Sequence, residues 1–413
     1  MSVRFGFTPI VPPFAGAGQV ESVVAEYMAA LEAMGGERWD EAGYDDPAPL
    51  CLLVATGGTE SVVMARREAR REHGIDEPAL LVAHPGNNSL PASLEVLARL
   101  QQDGDRGRII YLASPDDRAG LEKLAAAVHG VAVRRELERS RIGLVGDPSD
   151  WLVASMPTPA IVRAVWGPEV VPVAMAELEG AVDAITAADV ASWSDSLVGA
   201  AGGVLEPSAD EIADVARVYA ALRAFVDQRD LDALTLRCFD LVLDCKTTGC
   251  FALSELTDAG IIAGCEGDLV STVTMMWARL LTGETPWMAN PSHVDEERNT
   301  LLLAHCTVPR SIVEAYTLRS HFESGLGVGI QGDLPLGPVT LVRVGGVSMD
   351  EIWLAEGEIV RRGNLENLCR TQVEVTLDRG HVSELLEAPL GNHITVVLGH
   401  HADALAEWWE MLL

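Results

Sequence analysis

Lysine is almost missing from this 413-residue chain: Lys123 and Lys246 are the two it has. Lys and Arg together number 30 against 61 Asp and Glu, so the net charge is -31 at neutral pH. A phosphate backbone or an anionic lipid surface needs a basic face, and this balance excludes nucleic acid and membrane as the main partners. The near-complete preference for Arg over Lys reads as codon composition rather than chemistry. No apolar run is long enough to span a bilayer, and the opening MSVRFGFTPIVPPFAG lacks a signal-peptide pattern. No CxxC pair occurs among the cysteines at 51, 238, 245, 250, 265, 306 and 369, and their number is odd. A disulfide framework or a cysteine-built zinc site is therefore not expected. Buried thiols in a reducing cytoplasm are the natural reading. Internal repeats and low-complexity linkers are also lacking.

The composition is that of a folded protein, 48% hydrophobic and 22% charged, with length for two or three domains. VRFGFTPIV reads as a strand and GQVESVVAEYMAALEAMG as the helix after it. CLLVAT, PALLVAH and RIIYLAS are short, nearly all-apolar runs, each followed by a helical pattern. Strands buried on both faces look like this, which predicts a parallel sheet flanked by helices. The pattern restarts at RSRIGLVGDPSDW and continues through VVPVAM, a long helix opened by a Ser208–Glu211 capping box, and a strand at CFDLVLDC. After about 315 the texture changes to short strands separated by Gly, Pro and Asn turns, and the chain ends in a helix. The expectation is an α/β protein: two parallel-sheet α/β domains at 1–139 and 140–314, then a mostly antiparallel, barrel-like β domain at 315–413.

Several segments carry candidate chemistry, each beside a plainer reading. VATGGTES, 54–61, is a glycine-rich strand-to-helix turn suited to anions, or a tight turn with Thr59 as helix cap; it lacks the dinucleotide and P-loop patterns. HPGNNSLP offers Asn87 and Asn88 as directional hydrogen-bonding amides for a polyol, or simply loop and capping chemistry. Lys246 is a buried functional ammonium or a solvated side chain. In CEGDLVSTVTMMW, Glu266 and Asp268 taken alone read as acids that stabilise a helix start through its dipole. A functional reading gains from residues nearer the C-terminus: Asn290, His293, Asp295 and His305, then Arg319, His321 and Glu323, then His393, His400 and His401. Carboxylates and imidazoles gathered in this way suit a divalent cation such as Mn²⁺. Linear spacing does not show that they meet.

Taken in order, LLVATGGTE, HPGNNSLPASLEVLA, DAGIIAGCEGDLVSTVTM, LLAHCTVP, LRSHFESGLGVGIQGDLPLGPVTLVRVGG and GNHITVVLGHH resemble the L-fucose/L-arabinose isomerase family. The resemblance covers most of the chain and is more specific in its C-terminal half. It implies three domains per subunit, a homo-oligomer (trimer or hexamer), a site partly built from a neighbouring subunit, and Mn²⁺-dependent aldose–ketose isomerisation of a small sugar. It implies Glu266 as metal ligand and acid/base, His393 as a ligand and His305 as a further ligand. On the isomerase reading Arg319, His321 and Glu323 would line the site, and the Asn87 and Asn88 amides would bind substrate. The family's second carboxylate falls at Asn290. An amide coordinates through its oxygen but does not accept a proton usefully at neutral pH. Asp268, Asp295 or Glu323 would have to stand in, or the local alignment shifts by a few residues. An isomerase of pentoses or deoxyhexoses working through an enediol leads. An epimerase or lyase on the same fold, or a sugar-binding protein without catalysis, are the alternatives.

Overall fold

The computed structural model describes residues 4–12 and 17–413. The chain divides into two compact units, one of residues 1–135 with 407–413 and one of residues 136–406.

The first unit is built on five parallel strands: β1 (Phe5–Ile10), β2 (Gly36–Arg38), β3 (Leu50–Val54), β4 (Ala79–Ala83) and β5 (Gly107–Tyr111). Their order in the sheet is β2-β1-β3-β4-β5. Every residue of LCLLV in β3 and of ALLVA in β4 is buried, as the unbroken apolar runs predict for strands covered on both faces. Helices at Ala17–Ala33, Glu60–Glu72, Ser89–Gln102 and Arg118–Arg139 connect or follow them. The core gathers Ile10, Leu52, Val54, Leu81, Val96 and Leu100. Thr59 stands at the N-cap of Glu60–Glu72 but does not cap it through its side chain. Its hydroxyl instead donates to the Thr56 carbonyl at 2.7 Å, closing the glycine turn. The last residues of the chain join this unit, with the Trp408 indole N–H donating to the Gly130 carbonyl at 2.9 Å.

The second unit holds another parallel sheet and the barrel. β6 (Arg141–Val145), β7 (Glu169–Val173), β8 (Ala233–Leu236) and β9 (Ile262–Cys265) lie in the order β7-β6-β8-β9. The helix Ala209–Arg229 opens on the expected capping box: the Glu211 N–H donates to the Ser208 hydroxyl, and the Ser208 N–H donates to the Glu211 carboxylate. CFDLVLDC is not a strand. Residues 238–245 are helical and the strand is the run before them, Ala233–Leu236. Periodicity does not separate the two states in apolar stretches this short.

The barrel starts earlier than the change in sequence texture suggests. Its first two strands, β10 (Trp287–Asp295) and β11 (Thr300–His305), precede residue 315. β12 (Tyr316–Arg319) and β13 (Gly329–Gly332) form a separate two-stranded sheet. β14 (Gly337–Gly345), β15 (Glu351–Arg362), β16 (Thr371–Arg379) and β17 (Ile394–Leu398) close the barrel in the order β10-β11-β16-β15-β14-β17, every pairing antiparallel. Alternate positions of β15 point inward, the period-two signature of a strand with one covered face. Trp287, Leu301, Leu303, Leu341, Trp353, Val375 and Val396 belong to its core.

Candidate active site

The carboxyl ends of β6, β8 and β9 define the first wall of the site. β6 pairs with β7 on one side and β8 on the other, so the chain leaves its neighbouring strands in diverging directions and opens a crevice, the usual ligand position in such sheets. One end of the barrel supplies the second wall. Ala289 pairs with Ile394, so the next residues outward, Asn290 and His393, fall opposite one another. Asn290 also pairs with Ala304, beside His305.

Glu266 follows β9 directly, and its backbone is left-handed (φ 64°) with Gly267 left-handed after it (φ 72°). A left-handed residue other than glycine costs free energy and persists where its surroundings impose it. Here they do. Gly267 lies so close to the preceding loop that a Cβ would sit 2.7 Å from the Pro148 Cα. The Ser149 N–H donates to the Glu266 carbonyl at 2.8 Å. The turn aims the Glu266 carboxylate into the crevice, where the Trp151 indole N–H donates to Oε2 at 2.7 Å.

Asp268, two residues on, points the other way. It caps the helix Leu269–Thr282, accepting the Ser271 N–H at 2.8 Å and the Ser271 hydroxyl at 2.7 Å. Its Oδ2 lies 2.9 Å from His393 Nδ1 and 3.5 Å from the Arg343 guanidinium. Arg343 is itself fixed by the Ser271 and Ser155 hydroxyls and the Leu390 carbonyl. Burial alone would push the Asp268 carboxyl up; the Arg343 charge and the His393 and Ser271 hydrogen bonds outweigh it and hold it well below the ordinary carboxylate range. An ionised Asp268 only accepts, so Nδ1 of His393 is the donor of this pair and Nε2 is the ring nitrogen left facing outward. Asp268 therefore does not reach substrate as a catalytic acid. Its place is behind His393, which it orients.

His393 Nε2 is buried, finds no hydrogen-bond partner among the described residues, and lies 3.8 Å from Glu266 Oε2. Asn290 Oδ1 is likewise buried without a partner. His305 stands edge-on to His393 with ring centroids 5.5 Å apart, its Nδ1 bonded to the Thr307 hydroxyl. Burial and the nearby His393 depress the His305 pKa to about 3, so its imidazole is neutral at working pH. Among the described residues, no three His, Cys, Asp or Glu side chains are arranged to hold a metal. Glu266 and Asn290 line one cavity and His393 Nε2 stands beside Glu266, which offers one carboxylate, one imidazole and one amide oxygen, the last two each with a buried polar atom that has no partner among the described residues. That chemistry fits a divalent cation of the Mn²⁺ type.

Glu266, Asn290 and His305 open onto a cavity of about 170 Å³ that is also lined by His321, Phe239 and Glu323, among others. The volume is below the roughly 300–1,000 Å³ of drug-sized pockets and suits a small substrate. His321 is held by the Ser324 hydroxyl at 3.1 Å. Other expected site residues go elsewhere. Arg319 is buried on β12, its guanidinium bonded to Glu206, Glu366 and Gln331, and it is not among the residues that line the cavity. Asp295 accepts the Glu297 and Arg298 N–H groups in the β10–β11 turn. Lys246 is exposed and donates to the Leu243 carbonyl. Asn87 and Asn88 lie in the first unit after β4, exposed and both left-handed; the cavity described is made of second-unit residues alone.

Trp151, Phe239 and Arg343 carry no signal in the sequence that ties them to the site. Nor do the thiols: Cys238, Cys250, Cys265, Cys306 and Cys369 all line the cavity. All seven cysteines are free, as expected. The Cys238 and Cys265 sulfurs stand 3.1 Å apart, and this contact together with burial raises the Cys265 pKa, keeping it a neutral thiol.

No protein-family profile matches the chain. It is similar to sulfoquinovose isomerases from Priestia aryabhattai and Priestia megaterium, each 25% identical over 319 residues that cover 72% of this chain and 69% of theirs. A sulfoquinovose isomerase from Alkalicoccus urumqiensis is 26% identical over 315 residues, 72% of this chain and 68% of its own. No described helix is long and apolar enough to cross a membrane. The expectation of an enzyme of the aldose–ketose isomerase kind is borne out by these similarities.

Proposed function

We propose that this protein is a divalent-cation-dependent sugar isomerase, interconverting an aldose and its ketose through an enediol. The supporting observation is the pair of buried polar atoms without partners among the described residues, His393 Nε2 at 3.8 Å from the Glu266 carboxylate and Oδ1 of Asn290, a residue of the cavity that Glu266 also lines. Glu266, His393 and Asn290 would hold the cation, with His305 next to them. A bound cation polarises the C1 and C2 oxygens and acidifies the C2 proton.

The protein's own groups then have two tasks. One is to move a proton between C1 and C2, the other to move one between the two oxygens. Asn290 does neither at neutral pH. Asp268 is sealed behind His393 and Asp295 belongs to a hairpin turn, which leaves Glu266 and Glu323 as the cavity's carboxylates. Glu323 is thus the group that takes the second proton-carrying role. His305, kept neutral, and His321 would hydrogen-bond sugar hydroxyls from the cavity wall.

The similarity to sulfoquinovose isomerases makes sulfoquinovose, a sulfonated sugar, the first substrate to offer. A specific feature favours a second substrate class. No arginine or lysine is among the described residues lining the cavity, and a sulfonate is recognised best by a cation, Arg above all. Neutral pentoses and deoxyhexoses such as L-arabinose and L-fucose therefore belong in the same panel. NMR of the products in D₂O identifies aldose–ketose exchange by deuterium at a single carbon with the skeleton intact. Chelation and Glu266→Gln each abolish that exchange on this reading. Turnover of every panel sugar surviving both would overturn it, and cleavage of the carbon chain would move the assignment to a lyase. A homo-oligomer, trimer or hexamer, and a cytoplasmic setting that keeps seven thiols reduced go with this reading; light scattering in solution tests the first.

A further inference from the structure

Trp151 stands out because a half-exposed aromatic residue makes a directed bond to the site's central carboxylate. It is 50% exposed, on the loop after β6, yet its indole N–H donates to Glu266 Oε2 at 2.7 Å. Among the described residues it is the one hydrogen-bond donor that reaches this carboxylate. The loop is not free to drift. Arg237 donates to the Pro148 carbonyl at 2.6 Å and pairs with Asp150 at 3.3 Å. The Ser149 N–H holds the Glu266 carbonyl, and Pro148 packs against Gly267. The indole itself rests edge-on against Phe239, with centroids 5.0 Å apart and planes at 84°, and Phe239 lines the cavity. One rigid piece therefore carries the donor, and the same piece grips the backbone of the residue that accepts.

We infer that Trp151 is a positioning residue for Glu266: its N–H fixes the carboxylate rotamer, so that Glu266 faces His393 Nε2 and the cavity in one orientation. A carboxylate at the end of a left-handed turn has side-chain torsions free to swing, and a charge-assisted N–H bond on one oxygen removes that freedom. The inference rests on the proposed cation-dependent isomerase reading and adds to it a residue on a different loop, 115 positions away in sequence.

The test uses the full-length protein and Mn²⁺ alone as the calorimetric probe. Trp151→Phe keeps a ring against Phe239 and removes the N–H. The expected result is an unchanged melting temperature, Mn²⁺ binding weaker by about 10–100-fold, as for outer groups that orient metal ligands, and a fall in kcat at nearly constant KM. Trp151→His, which offers a ring N–H at similar reach, recovers part of the affinity. Wild-type Mn²⁺ affinity and kcat in Trp151→Phe would overturn the inference. Glu266→Gln in the same titration keeps the two failures apart. If wild type binds no Mn²⁺, or binds it equally after Glu266→Gln, the isomerase reading fails. If Glu266→Gln loses Mn²⁺ and Trp151→Phe does not, only the role of Trp151 falls.

Discussion

The Asp268 carboxylate lies 2.9 Å from Nδ1 of His393, and neither side chain has any exposed surface. Arg343, 2% exposed, stands 3.5 Å from the same carboxylate, so a positive and a negative charge sit together out of water. Removing one partner of such a set leaves the other buried and uncompensated, which costs about 3–5 kcal/mol. Asp268→Asn should therefore lower stability by that amount in urea unfolding, although Asn has nearly the same volume and retains an acceptor for the His393 N–H. A loss below about 1 kcal/mol, the size of an ordinary hydrogen bond, would show that Arg343 is satisfied by Ser155, Ser271 and Leu390 without it.

Acid sensitivity should come from two groups with depressed pKa values. His305 falls from its ordinary 6.5 to about 3 in the folded chain. Between those values the unfolded chain binds a proton that the folded chain refuses, so stability rises with pH through this window and levels off above it. Asp268 is also depressed: its contribution is complete above its ordinary 3.8 and is lost as pH falls further. Urea midpoints in the presence of chelator should drop steadily from about pH 7 to about pH 4, and His305→Gln should flatten that part of the curve. An identical slope in the variant would remove His305 from the account.

Asn290→Asp tests the missing carboxylate. A new negative charge near Glu266 should repel it without cation and lower the melting temperature in chelator. With Mn²⁺ the same charge becomes a third anionic or imidazole ligand, and affinity should rise about tenfold or more, ~1.4 kcal/mol per decade. Opposite signs in the two conditions are the signature. A variant that is destabilised in both would mean that the Asn290 oxygen does not face a cation.

Gly267→Ala should do more harm than its size suggests. The position is left-handed and its Cβ would press on the Pro148 backbone, which cannot step aside as a flexible side-chain tip can. A loss of about 1–3 kcal/mol is expected from these two sources. Cation affinity should fall along with it, because the same contact keeps Trp151 over Glu266. Thermal melts and Mn²⁺ titration on the same sample check both.

Much of the fold is legible because burial on both faces writes itself as unbroken apolar runs, as in β3, β4 and β6. The long helix between β7 and β8 is announced by its Ser208–Glu211 cap. The start of the barrel is not legible, since β10 carries NPSHVD in its outer half and reads like a polar loop. At the site, Glu266, His305 and His393 are visible as residue types, but their convergence depends on barrel register. Asp268 is visible as an acid close to Glu266, yet nothing local says that one faces the cavity and the other the core. That division comes from a left-handed backbone at a glutamate, which no residue preference foretells. Arg319 sits in a string of functional-looking residues, and β12 turns it toward Glu206 and Glu366. Trp151 has no neighbour in sequence that would draw attention to it.

The separations along the chain have one more consequence. Asp268 meets His393 across 125 residues, Glu266 meets Trp151 across 115, and Arg343 meets Ser155 across 188. The orientation of a single imidazole thus depends on a loop from the parallel sheet, a helix cap and two barrel strands all being in register at once. Long-range closures of this kind are gained late, after their entropy has been overcome. Activity in this protein should accordingly behave as a checksum on its topology: absent from any partly assembled chain, and restored in one step when the last strand of the barrel docks.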